Sequence, residues 1–208
     1  MESRAGSRGR GRPVGADSRL TRQTILRAAR DAISECGYAA ATFQQIAQRA
    51  GVSRPTLHYY FDTREDVYET LLQDMNAQIT SCIAEARQPS GPRARLVAFT
   101  EAIERMCSED PASLRFLVTV QVEQHRGGHR SPTADAMIAT IHGFYTSLAD
   151  AALGGDARAV ADMLASVFWG VAFHAGFVAG DEGAAEIVAR QLLEAFHDGL
   201  LTLHGDAR

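Results

Sequence analysis

Residues 42 to 61, TFQQIAQRAGVSRPTLHYYF, decide the fold, because their punctuation spells two short helices joined by a tight turn. Thr42 is a good N-cap, and Gln45 three residues on can reach back to complete a capping box. Phe43, Ile46, Ala47 and Ala50 recur at the spacing of one helical face, while Gln44, Gln45, Gln48 and Arg49 take the other. Gly51 supplies the left-handed position at which a helix most readily stops, and Val52 drops an apolar anchor inward. Ser53 then caps a second helix opening Arg54, Pro55, Thr56. That second helix presents Arg54, Thr56, His58 and Tyr60, with Tyr59 beside them, and has little besides Leu57 and Phe61 to bury. Arginine can fork onto guanine edges or phosphates, threonine can meet a thymine methyl, and histidine and tyrosine can donate to phosphate oxygens. The stretch reads as a helix-turn-helix with a recognition helix; the plainer alternative is a helical hairpin with a polar outer face.

From Ile25 to about Val67 the chain resembles the DNA-binding domain of the TetR family of transcriptional regulators. The resemblance rests on the run Ala50-Gly51-Val52-Ser53, on Thr56-Leu57, on Tyr59-Tyr60-Phe61 and on Arg64. It implies an all-α fold: a three-helix DNA-binding domain, a divergent helical ligand-binding and dimerisation domain, and a homodimer whose two heads enter successive major grooves. Position by position it implies DNA contacts at Gln44, Arg54, Pro55, Thr56, His58, Tyr60 and Arg64, to which the pattern adds Tyr59. One departure bears on sequence preference: His58 and Tyr60 stand exchanged relative to the commoner Tyr then His, though both can donate to phosphate.

The charge divides the chain along the same line. Residues 1 to 60 hold ten arginines against Glu2, Asp17, Asp31 and Glu35, a net of +6, which leaves −10 for the remaining 148 residues to reach the overall −4. A basic segment supplies sequence-independent attraction to phosphates, and an acidic remainder keeps DNA off the other surfaces. Every basic side chain is arginine, which suits bidentate phosphate and guanine contacts. Residues 1 to 16, MESRAGSRGRGRPVGA, lack apolar periodicity and read as a flexible basic arm. Its Gly11-Arg12-Pro13, preceded by Arg8 and Arg10, resembles an arm that lies in A·T-rich minor grooves, which makes Arg10 and Arg12 candidate contacts; a solvated tail is the other reading. The N-terminus has no apolar core of a secretory signal, and no apolar run comes near the roughly 20 residues a membrane helix needs, so a cytoplasmic protein is expected. Three cysteines at wide spacing, Cys36, Cys82 and Cys107, fit a reducing compartment better than a disulfide frame or zinc site.

The boundaries that follow are 17–64 for the helix-turn-helix domain and 65–208 for the ligand-binding and dimerisation domain. In the first, Ile25, Ala28, Ala29, Ala32, Ile33 and Cys36 mark the buried face of a long helix that Gly37 ends. In the second, Thr63 with Asp66 opens a long amphipathic helix to about Ala86, closed by the linker Gln88-Pro89-Ser90-Gly91-Pro92. Residues 116 to 122, FLVTVQV, are β-prone by composition. Asp110 before Pro111 is nevertheless a strong helix start, and no second strand-like run lies nearby to pair with it, so a central helix is expected. His125 to Arg130 reads as a loop, Ser131-Pro132 as the next start, and Gly154-Gly155-Asp156 as a stop and restart. The two helices after it, the last beyond Gly180-Asp181, carry broad apolar stripes and small residues, which fits a four-helix dimer bundle or burial in their own core.

Phe99, Ile103, Met106, Phe116, Val120, Met137, Ile141, Phe144, Tyr145, Trp169 and Phe173 form the pool from which an apolar ligand pocket would be lined; ordinary packing is the competing role for each. His125 and His129 have a metal-pair spacing, but Gly127-Gly128 between them argues against fixed geometry, and no metal or cofactor is expected. No GxSxG, HExxH, P-loop or dinucleotide fingerprint occurs, which speaks against an enzyme. The function expected is therefore a ligand-responsive repressor that binds a palindromic operator as a homodimer and is released by a small, largely apolar molecule. A nonspecific architectural DNA binder and, further off, an enzyme using the helical pocket stay open beside it.

Overall fold

A computed structural model describes residues 14–126, 129–154 and 157–178. Arg10 and Arg12 of the basic arm, and the last expected helix, lie outside the described residues. Among the described residues eight α-helices follow one another: α1 Val14–Ala40, α2 Phe43–Arg49, α3 Arg54–Tyr60, α4 Arg64–Ala86, α5 Pro92–Glu109, α6 Ala112–His125, α7 Pro132–Leu153 and α8 Arg158–Phe173. A π-helical turn, His174–Val178, continues α8. The fold is all-α, with no strand among the described residues.

Helix ends fall where the local chemistry places them. Thr42 and Thr63 each close a capping box, with Gln45 and Asp66 respectively, and the Ser131 hydroxyl accepts from the amides of Thr133 and Ala134. Gly37 interrupts α1 at φ 80° and ψ 163°, a region essentially reserved for glycine. The β-prone run Phe116–Val122 is helical: α6 is packed by α1, α5, α7 and α8, and Leu114, Phe116, Leu117, Val118 and Val120 are all buried. Burial on several sides, rather than intrinsic propensity, decides such a segment. One apolar core runs unbroken from Ile25 in α1 to Ala172 in α8, so α1 to α3 share it with the helices behind them.

Four expectations are corrected. The Asp110 side chain does not cap α6; its carboxylate binds the Arg30 guanidinium of α1, 80 positions away, which a charged partner makes the stronger bond. Cys36 is exposed, because α1 is uncovered at Glu35 and Cys36, between buried Ser34 and buried Tyr38. His125 belongs to α6 and not to the loop, its Nδ1 lying 2.8 Å from the Gln121 carbonyl oxygen. An apolar segment of membrane-spanning length does occur: Arg158–Val178 has 21 residues and a mean hydropathy of 1.4 over its most apolar window. Arg158 and Asp162 stand in its first turns, and it packs along α7 and α6.

Candidate nucleic-acid interface

The α2–turn–α3 unit is built from its caps inward. Ala50 ends α2, Gly51 turns at φ 67°, and the Val52 amide donates back to the Ala47 carbonyl at 3.0 Å. Ser53 restarts the chain, its hydroxyl accepting from the Thr56 amide at 3.1 Å. Leu57, wholly buried, pins α3 to the core and so fixes which side faces out. That side carries Arg54, Pro55, His58 and Tyr59, all exposed and related by one-turn spacing. Tyr59 is 81% exposed, a large ring left standing in solvent. The His58 ring lies 4.8 Å from that of Phe43, which sets exposed Gln44 at the start of α2 beside the middle of α3.

The remaining expected contacts are half-turned away from that stripe. Thr56 is half-buried and its hydroxyl lies 2.7 Å from that of Ser53, within the cap. Tyr60 is half-buried and packs against the core. Arg64 points back: its Nη1 donates to the carbonyls of Tyr38 at 3.2 Å and Ala39 at 3.3 Å, and its guanidinium lies 4.2 Å over the Tyr38 ring. It closes the open carbonyls at the end of α1, a use of arginine that spacing alone does not reveal. Arg49 pairs with Glu35 of α1 at 2.5 Å, and that hydrogen bond holds the Glu35 carboxyl below its usual range.

Behind the unit, His129 seats on α1 and α4. The His129 ring stacks on Tyr38 at 4.4 Å and meets the edge of Tyr68 at 5.8 Å. The Tyr38 hydroxyl donates to Glu65 at 2.7 Å; burial and that carboxylate push the phenol up to about 12. His125 and His129 thus serve different neighbours, and no group of His, Cys, Asp or Glu that could hold a metal occurs among the described residues.

Part of the ligand pool comes together as an aromatic layer between α5, α7 and α8. Phe99 lies 4.6 Å from Phe144 and 5.9 Å from Tyr145, and Phe168 joins them at 5.9 Å from Phe99 and 5.1 Å from Trp169. Phe168 escaped the sequence pool although it continues the stripe Ala161, Leu164, Ala165. Ile103, Met106, Val120, Met137 and Ile141 belong to the same core. Phe116 instead packs toward Tyr68 at 6.3 Å, and Phe173 is turned out at 49% exposure, stacked on Phe177.

Burial raises the Tyr145 phenol above its ordinary value of 10. A folded-state pKa above the unfolded one means that the unfolded chain ionises first. The contribution of this burial is therefore complete below about pH 10 and is lost as the pH climbs past that value. Unfolding temperature is expected to fall on the alkaline side, and Tyr145→Phe to flatten part of that fall; identical alkaline slopes in the two proteins would remove Tyr145 as a cause.

A sequence model described as bacterial regulatory proteins, tetR family, matches residues 25–71. Over 125 residues the chain is 33% identical to the HTH-type transcriptional activator FasR of Mycolicibacterium smegmatis, an alignment spanning 56% of this chain and only 57% of that protein. Over 194 residues it is 27% identical to the HTH-type transcriptional regulator BetI 2 of Chromohalobacter salexigens, spanning 89% of this chain and 91% of that one. A TetR-like transcriptional regulator from Rhodococcus sp. RHA1 shares the fold with a TM-score of 0.70 at 20% identity, covering 88% of this chain and 96% of that chain. A regulator from Saccharomonospora viridis, solved in complex with choline, does so with a TM-score of 0.61 at 22% identity, covering 86% and 96%.

Proposed function

We propose that the chain is a DNA-binding transcriptional regulator of the tetR family that binds a two-fold symmetric operator as a homodimer and is released by a small, largely apolar molecule. The observation that carries the DNA-reading part is the outward stripe of α3, where Arg54, Pro55, His58 and Tyr59 stand in solvent on a helix fixed from behind by Leu57. Tyr59 and His58 reach for phosphates, Arg54 for a guanine edge, and Gln44 flanks them from α2. Thr56 and Tyr60 hold the helix and touch DNA at its margin; Arg64 positions the turn by holding the end of α1. Arg10 and Arg12 add minor-groove and phosphate attraction from the arm.

Exposed Phe173, Phe177 and Val178 at the end of α8 support a dimer contact there, completed by the last helix expected from the sequence. Two copies would set their α3 helices one turn of DNA apart, roughly 34–36 Å. The effector is read as occupying the aromatic layer around Phe99 and Phe144, with α4 carrying the change to α1–α3. An aromatic lining also suits a quaternary ammonium, the group on the choline held by the Saccharomonospora viridis regulator, and that is the second reading of the ligand. Repression is the output proposed, in the cytoplasm; a promoter–reporter measurement separates it from activation, the role named for FasR.

The deciding experiment is selection of bound sequences from a random DNA pool, followed by titration of the winner at several salt concentrations. An enriched palindrome is expected. A·T-rich enrichment without a palindrome would favour an architectural binder, and no enrichment would sink the DNA-reading proposal. Removing residues 1–16 is expected to weaken binding and flatten its salt dependence, since each lost phosphate contact lowers the slope by about one. An unchanged slope would reduce the arm to a tail.

A further inference from the structure

Between α1, α4 and α6 lies a half-open cleft of about 210 Å³. Arg27 and Arg30 of α1 border one side, Asp74 of α4 the other, and Leu26, Met75 and Phe116 form an apolar floor. We propose that this cleft binds a small organic monocarboxylate with an apolar body, at a place separate from the aromatic layer. Leu26, Met75 and Phe116 are buried, and an apolar body laid against them takes its own surface out of water. Arg27 and Arg30 stand three residues apart on the same face of α1, and Arg27 offers its guanidinium to a carboxylate. Arg30 is shared with Asp110 and Asp31, whereas exposed Arg27 has no ion pair or hydrogen bond among the described residues, which makes it the free cation of the site. Asp74 faces it from α4, also without a partner among the described residues, and its charge works against a second negative group on the ligand. That selects a monocarboxylate over a dicarboxylate or a phosphate. The volume lies below the roughly 300 Å³ at which drug-sized pockets begin, so the occupant is small.

The walls of the cleft come from the helix that leads into α2 and α3 and from the two helices behind it. An occupant therefore touches both sides of a joint, and by differential affinity it shifts their relative angle. This consequence rests on the DNA-reading proposal; the binding itself does not.

The test uses the full chain labelled with ¹³C at the methionine methyls, and benzoate as the probe. The Met75 signal, identified by its loss in Met75→Leu, is expected to shift and saturate with benzoate and to respond about tenfold more weakly to the neutral isostere benzamide. Arg27→Gln is expected to weaken benzoate about tenfold, and Asp74→Asn to strengthen it severalfold. Both residues are on the surface, so the variants fold. No saturable shift, equal shifts with benzamide, or an Arg27→Gln protein that binds benzoate like the parent would each overturn the site. A saturating shift in a protein that selects no DNA sequence would keep the site and remove only its link to DNA.

Discussion

Arg54→Ala is expected to abolish most of the preference for the selected DNA site over random DNA while leaving the protein folded. Arg54 opens α3, is exposed, and makes no ion pair or hydrogen bond among the described residues, so its removal takes nothing from the core. An arginine forked onto a guanine is worth about 1–3 kcal/mol of discrimination. A two-fold dimer loses that contact twice, so about 2–6 kcal/mol separates the variant from the parent on the operator. The salt slope decides what kind of contact was lost. A base-reading arginine lowers specific affinity and spares nonspecific affinity, whereas a phosphate contact weakens every sequence alike and reduces the slope by about one. A specificity ratio unchanged by the substitution would take Arg54 out of base reading. Thr56→Ala is less clean, because the Thr56 hydroxyl also lies 2.7 Å from that of Ser53 and its loss loosens the cap.

The second large effect is on stability. Phe99→Ala is expected to cost about 3–5 kcal/mol, the range for removing a buried phenylalanine ring. Phe99 is 1% exposed and its ring meets those of Phe144, Tyr145 and Phe168, so little can collapse into the space it leaves. Against a total of about 5–15 kcal/mol for an ordinary domain, this approaches the limit of folding. Denaturant unfolding of parent and variant measures it directly. A loss near 1 kcal/mol would mean that the aromatic layer is loosely packed and already has room for a ligand; the full loss would mean that an effector entering there must displace rings.

Much of the fold was legible because its signals are local. The boxes at Thr42–Gln45 and Thr63–Asp66, the stop at Gly51 and the start at Ser131-Pro132 each act within four residues, and each stands where the sequence places it. The helical state of Phe116–Val122 was legible by a different route, from the lack of any strand to pair with it. What escaped was decided between distant segments. Asp110 has the look of a cap, yet Arg30 from another helix takes its carboxylate. Arg64 has the look of an outward contact, yet it turns to the carbonyls of Tyr38 and Ala39. Cys36 sits on the apolar stripe of α1 but at a point that is left uncovered. Side-chain direction at a helix end depends on what lies opposite, and no local spacing encodes that. The split of Phe116 and Phe173 away from the aromatic layer has the same origin.

The Arg30–Asp110 pair has a consequence for how the protein is made. The cation emerges from the ribosome 80 residues before its anion, and at about 5–20 residues per second that is a wait of roughly 4–16 s. Through that interval α1 has been synthesised, but α6, the helix packed along its apolar face, has not. The α2–turn–α3 unit at residues 42–61 is thus complete in sequence before its support exists, and a nascent chain stalled short of residue 110 would expose that apolar face to chaperones and to other nascent chains.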